Sequence, residues 1–357
     1  MRLTIGIKAL NEERRIAACI ESALTVTQKY DGEVILADSG STDRTIEIAS
    51  KYPIRIVQLA NPSERCCGAG AQLAFQFAQG ECFCLVDGDM VLSSDFVSTG
   101  IDFLIAHDDC AGVGGSVREM NLDNADFQIR AMCLEGDRNR KPGLVDRLDG
   151  GGIYRSSAIR ETGYFADRNL HAFEEFELAM RLRARGWTLT RIDQLAVYHY
   201  GYQMSGYHLL WHRVRSGYTA CVGEVIRAAC SRGYFRTVLQ RLDHVRVCLL
   251  IFAWWVFVAV AASISGLAGM ALLLLPVAFL SARRRSLRLG IYSFVSWNFI
   301  AVGMIVGLMH KRVPPNRPLA SVQLSPNQEV PGVTIASREA AESCHMVVEE
   351  ERSQCAF

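Results

Sequence analysis

The chain has 357 residues, half of them apolar, which is enough for one large or two ordinary domains with a sizeable core. Its 38 Lys and Arg against 37 Asp and Glu leave a net charge of +1, which removes bulk electrostatics as an argument for nucleic-acid binding. The twelve cysteines are scattered, include the adjacent pair Cys66-Cys67 and show no metal-ligand spacing, so they read as free thiols of a reducing compartment.

From the N-terminus, strand and helix patterns alternate. Residues 3–7 form an apolar run too short for a signal peptide, so the first domain is expected to stay in the cytosol. Residues 12–24 carry Ile16, Cys19, Ile20 and Ala23 at helical spacing, and 34–37 is a second buried strand. A Ser/Thr/Asp-rich turn, a helix over 42–50, a strand over 54–59 and a helix over 71–78 follow. The apolar run Cys82-Phe83-Cys84-Leu85-Val86 then ends in Asp87-Gly88-Asp89. This order predicts an open, mainly parallel α/β sheet, in which ligands bind outside the carboxyl ends of the strands. Asp38 and Asp87 each end a strand, so both belong on that rim.

Residues i and i+2 of an extended segment share a side, so Asp87 and Asp89 together suit a hard divalent cation such as Mg²⁺ or Mn²⁺. A pair of solvated aspartates has the same spacing. Asp38 suits the imide N–H of a uracil-type base, or equally an Asx turn. Residues 135–142 combine Gly and charge as a mobile loop over a site would.

Residues 247–282 contain no charge, nor do 289–309. As one helix the first stretch would be about 54 Å long, against about 30 Å of bilayer hydrocarbon, so it is expected to break near Ser263-Ile264-Ser265-Gly266. Three spans with a cytosolic N-terminus place Arg283, Arg284, Arg285 and Arg288 in the cytoplasm but Lys311, Arg312 and Arg317 outside, which leaves the third crossing open. Aromatic and cationic residues at helical spacing over 201–246 suit amphipathic helices under the bilayer. After Pro314-Pro315 the tail of 311–357 reads as disordered. The expected organisation is a catalytic domain at 1–200, interfacial helices at 201–246, a membrane region at 247–310 and the tail.

Several motifs stand in an order that resembles the inverting family 2 glycosyltransferases of GT-A fold, in their membrane-anchored bacterial form. Ile5 to Glu12 resembles the opening strand and Asn-Glu turn. Leu36-Ala37-Asp38-Ser39-Gly40-Ser41-Thr42-Asp43-Arg44-Thr45 is similar to the Asp-x-Gly-Ser-x-Asp-x-Thr segment, and Gly68-Ala69-Gly70-Ala71 to a glycine-containing segment before the metal strand. Asp87-Gly88-Asp89 falls at the Asp-X-Asp position, and Gly151 to Arg155 followed by Glu174-Glu175-Phe176-Glu177-Leu178 resembles the acceptor-side segment.

The resemblance implies transfer of a sugar from a nucleotide diphosphate, UDP favoured, to a hydroxyl of a lipid-linked or envelope-glycan acceptor. The enzyme would sit at the inner membrane with its catalytic domain in the cytosol, bind no nucleic acid, and invert the anomeric centre. Asp89 and Asp87 would hold the metal, with His199 a further candidate ligand. Asn11, Glu12, Asp38, Asp87 and Arg65 would contact the nucleotide sugar. Glu175, or Glu174 beside it, would deprotonate the acceptor, although an acid-rich helix start has the same look. Three departures stand out: Glu175 where Asp is usual, Ala71-Gln72 in place of Arg-Asn, and no Gln-x-x-Arg-Trp. The last argues against a processive polysaccharide synthase. The alternatives are an inactive membrane scaffold of the same fold and a nucleotidyltransferase; the latter would need a glycine-rich phosphate loop that residues 8–12 lack.

Overall fold

A computed structural model of the chain describes residues 1–324 apart from Glu135, Asp149 and Ser231. The N-terminal half contains β1 (Leu3–Ala9), α1 (Ile16–Thr27), β2 (Glu33–Asp38), α2 (Thr45–Ala49), β3 (Arg55–Leu59), α3 (Cys67–Gln76), β4 (Cys82–Asp87), β5 (Met90–Leu92), α4 (Ser94–Ala106), β6 (Cys110–Glu119) and α5 (Ala125–Leu134). Then come β7 (Gly143–Leu144), β8 (Ile153–Arg155), α6 (Ser156–Thr162), α7 (Glu174–Ala184) and β9 (Thr188–His199). Short helices α8 (Gly206–Arg215), α9 (Cys221–Ala229) and α10 (Phe235–Arg241) lead to three long ones, α11 (Asp243–Ile264), α12 (Gly266–Arg284) and α13 (Leu287–Met309), and to β10 (Ser321–Leu324).

The strands form one mixed sheet in the order β10-β3-β2-β1-β4-β8-β6-β9-β5, with β7 on β9. Its centre, β3-β2-β1-β4, is parallel as the sequence predicts. These strands are apolar on both sides because both faces are covered: Ile5, Ile7, Leu36 and Val86 pack in the layer holding α1 and α4, while Ile35, Ala37, Phe83 and Leu85 face the layer holding α3. The register pairs Lys8 with Asp87 and Ala9 with Asp38, so the carboxyl ends of β1, β2 and β4 share one rim.

Several expectations change on folding. Helix α3 begins four residues earlier than the periodicity suggests, because the Cys66 side chain accepts from Ala69 N–H as its N-cap and Gly68 permits a close approach: a Cβ there would lie 2.1 Å from the Asp167 carbonyl oxygen. Of the tail expected to be disordered, 325–357 lies outside the described residues, but 311–324 is ordered. Arg312 pairs with buried Asp167, Arg168 donates to the Arg317 and Pro318 carbonyls, and β10 pairs antiparallel with β3. The strand edge of β3 offers an open ladder that hydropathy does not register. The supposed mobile loop is pinned at Asp137 by Arg147 and at buried Asn139, whose carbonyl accepts from Arg191.

The long apolar stretch breaks at Ser265, as its length requires, and α11, α12 and α13 are candidate membrane spans by length and composition. Of the segment expected at the interface, α8 exposes Tyr207 and Trp211, whereas most of α9 is buried.

Candidate active site

At the rim, β1 delivers Lys8 and β4 delivers Asp87, with Asp89 two residues on. The Lys8 ammonium sits 3.2 Å from Asp87 Oδ1 and 2.7 Å from Glu174 Oε1 at the start of α7. Burial pulls Lys8 down, but Asp87 and Glu174 outweigh it and hold the ammonium well above its ordinary value. His199, at the end of β9, approaches Asp89 with Nε2 at 3.4 Å and holds Glu119 with Nδ1 at 2.6 Å; Arg130 in turn pairs with Glu119 at 3.0 Å. Against the cost of burial, the two carboxylates raise the imidazole to about 10. Burial pushes Asp87 up, while at Asp89 the same burial is overcome by His199, so that Asp89 lies below its ordinary value.

Glu12, expected to contact the nucleotide sugar, joins this cluster beside the two aspartates. Gly88 makes room for it, since a Cβ there would stand 2.9 Å from Glu12 Cγ. Burial first, and then Asp89, Asp87 and Asp43, push the Glu12 carboxyl up to about 8. Three carboxyl groups therefore crowd one rim beside Lys8 and His199, and the crowding keeps Glu12 largely protonated at neutral pH. Oxygen donors from Asp87 and Asp89, with an imidazole whose far nitrogen is held by a carboxylate, fit a divalent cation of the Mg²⁺ or Mn²⁺ kind.

The remaining expected residues divide. Asn11, in the left-handed region at φ 59°, accepts from Thr42 N–H at 2.8 Å and donates its own backbone N–H to the Ser41 hydroxyl oxygen, so it shapes the rim loop after β2. Asp38 is fully buried and accepts from Gly40 N–H, Ser41 N–H, the Ser41 hydroxyl and Gln58. The Asx-turn reading thus accounts for most of its accepting capacity, because the chain turns back over its own strand end. Arg65 is not at the cluster. It is exposed and lines a cavity of about 250 Å³ with Arg168, His171, Glu224, His310 and Lys311, which Asp87 and Asp89 do not line. The loop of 60–66 carries it there, away from the strand ends.

Glu174 and Glu175 open α7, where the helix N-terminus favours acids. They follow Phe173, whose φ of 65° is unusual for a bulky residue and turns the chain sharply into the helix. Glu174 is buried and tied to Lys8, whereas Glu175 is partly exposed. Glu177 does bind Arg181, at 2.8 Å, as the i+4 spacing suggests, and also accepts from Tyr164 and Tyr234. Gln72, next to the Ala71 that stands in place of the resembled family's arginine, accepts from Phe165 and Ala166 N–H and so braces the segment leading to α7.

Lys8 and Glu119 are the site residues that sequence reasoning missed. A lysine at the end of an apolar strand was the available signal for Lys8. Nothing local marks Glu119, because its role depends on the β6·β9 pairing that sets it opposite His199.

The strand ends of this mixed α/β sheet, which is of the GT-A type, thus gather an Asp-X-Asp pair, a carboxylate-backed histidine and an acid-rich helix start. Residues 4–163, just under half of the chain, match Glycosyl transferase family 2. Mannosyltransferase PcManGT from Pyrobaculum calidifontis, solved with GDP-Man and Mn²⁺, is 18% identical with a TM-score of 0.60 over 86% of this chain and 87% of that one. S. aureus TarS 1–349 is 14% identical with a TM-score of 0.50 over 85% of this chain and 90% of that one. Against a longer TarS chain the values are 16% and 0.51, over 69% of this chain and 43% of that one, so the present chain spans under half of its length. The chain matches no curated protein. At these identities the structural likeness establishes the fold.

Proposed function

We propose that this protein is an inverting glycosyltransferase that moves a sugar from a nucleotide diphosphate to a hydroxyl of a membrane-associated acceptor, lipid-linked or part of an envelope glycan. The catalytic domain works on the cytosolic side of the inner membrane, at the base of the long helices. The observation that carries the reading is the convergence of Asp87, Asp89, Glu119-backed His199 and the Lys8–Glu174 pair on one strand-end rim. The ligands of PcManGT, GDP-Man and Mn²⁺, support a nucleotide diphosphate sugar and a divalent cation.

Asp87, Asp89 and His199 would hold the cation, which when bound neutralises the charge gathering on a diphosphate leaving group. Glu12 adds a third carboxyl group to the same rim. Lys8 holds Glu174 in place and partly neutralises Asp87. Glu174 is buried and already engaged by that ammonium, so Glu175, the more accessible neighbour, takes the acceptor proton at its carboxylate as the hydroxyl attacks the anomeric carbon. Direct attack opposite the leaving diphosphate inverts that carbon.

The test is release of nucleotide diphosphate by the detergent-purified protein from a panel of UDP- and GDP-sugars, with and without Mn²⁺. Asp89→Ala and Glu175→Gln should each lose at least a hundredfold while remaining folded. Full activity in Asp89→Ala, or no turnover and no nucleotide-induced stabilisation across the panel, would return the protein to the scaffold reading.

A further inference from the structure

By composition α12 and α13 are alike, each with a mean hydropathy of 1.7 in its most apolar stretch, and α11 reaches 2.6. Packing separates them. In that stretch 39% of α13 is buried, against 11% for α11 and for α12. Leu250, Phe257, Ile264, Leu267, Leu274 and Phe279 on α11 and α12 are all largely exposed, an apolar surface far beyond the scattered residues of a water-soluble face.

Helix α13 touches the sheet domain at both ends. Near its start, Tyr292 is buried against Gly206, and its hydroxyl lies 3.3 Å from Asp126 of α5. Toward its end the backbone meets α9 and the turn before it without room for a side chain: a Cβ on Gly303 would lie 2.2 Å from the Thr219 carbonyl oxygen, one on Gly307 2.1 Å from that of Ala220, and one on Gly223 2.0 Å from that of Met304. Beyond the last turn, Arg227 donates to the Leu308 and His310 carbonyls, and His310 meets Glu224 at 2.8 Å. The chain then returns to the sheet through β10. A helix whose two ends are both held by one water-facing domain does not carry the chain to the opposite side of a bilayer.

Helices α11 and α12 behave differently. The first turn of α11 joins the domain core through Val245 and Cys248, and the last turn of α12 reaches back to α5, where Arg284 meets Cys133. Between them the chain leaves and returns through an uncharged turn at Ser265. At 1.5 Å per residue the two helices are about 33 and 28 Å long, close to the roughly 30 Å of a bilayer core.

We infer that the protein enters the bilayer as an α11–α12 hairpin from the side on which the sheet domain lies, and that α13 stays on that side, so that the N-terminus and β10 share one face of the membrane. This removes the third crossing, which hydropathy and charge left open. It also resolves the charge conflict: Arg283, Arg284, Arg285 and Arg288 at the hairpin base and Lys311, Arg312 and Arg317 after α13 all lie on one side, as the positive-inside rule asks. The exposed Arg283, Arg285 and Arg288 at the hairpin base would meet the headgroups of that leaflet, where anionic lipid would hold them.

The inference does not depend on catalysis, and its test reads no activity. The full chain carries a protease-cleavable tag at each terminus and is examined in sealed membrane vesicles of uniform orientation. Both tags should be cleaved together in vesicles exposing the domain and both protected in inverted ones, and an alkaline wash should leave the protein in the membrane. Opposite fates for the two tags would establish an odd number of crossings and overturn the inference. Release by the alkaline wash would overturn it as well, by showing that no hairpin is inserted.

Discussion

Lys8→Met tests how the rim is held together. The ammonium stands 2.7 Å from Glu174 and 3.2 Å from Asp87, with a side chain only 17% exposed. At an effective dielectric constant of about 20, these contacts are worth on the order of 6 and 5 kcal/mol of gross Coulomb attraction. Desolvation of the lysine consumes much of that. Removing one partner of a buried group, however, strands the other, so the net loss should be about 3–5 kcal/mol, because two carboxylates are left with no cation between them. For a domain of this size that is on the order of 10 °C in thermal midpoint. Mn²⁺ should stabilise Lys8→Met more than the wild type, since Asp87 is then free of its lysine. The assay is thermal or urea unfolding in detergent at pH 7, with and without Mn²⁺. A variant within about 0.5 kcal/mol of wild type, well inside the expected loss, would refute the reasoning.

Glu177→Leu should cost about 3–5 kcal/mol by leaving Arg181 buried without its carboxylate, and the double variant Glu177→Leu/Arg181→Leu should recover part of this in urea unfolding. Asp146 receives Arg138, Arg183 and Arg241; although burial pushes its carboxyl up, these cations hold it below its ordinary value. A depressed folded pKa contributes stability above the unfolded value and loses it as pH falls through the folded one, so Asp146→Asn should be about 1 kcal/mol less stable at pH 7 and should converge on wild type once the pH has fallen through the folded value. Gly68→Ala should displace the segment that leads to α7, because its Cβ meets the Asp167 carbonyl oxygen; expected are about 1–3 kcal/mol of lost stability and a fall in sugar transfer, read by urea unfolding and nucleotide release.

Much of this protein was legible before folding. Apolar runs bounded by turns are local, so the parallel centre of the sheet, the placing of Asp38 and Asp87 on one rim and the break near Ser265 could all be read from periodicity and length. The resemblance of ordered motifs added the GT-A fold. Contacts between residues far apart in sequence could not be read in this way. Lys8 meets Glu174 across 166 residues and His199 meets Glu119 across 80, and neither partner is marked by its neighbours. Glu12 joins the aspartates only because Gly88 leaves space, and Arg65 drifts from them because its loop runs over another cavity. Membrane topology shows the same division most plainly. Hydropathy reports how apolar a helix is, and α12 and α13 score alike; the inference that only α12 of the two crosses rests on the glycine-lined backbone contact of α13 with α9 and on the return of β10 to the sheet, and those exist only once the chain has folded.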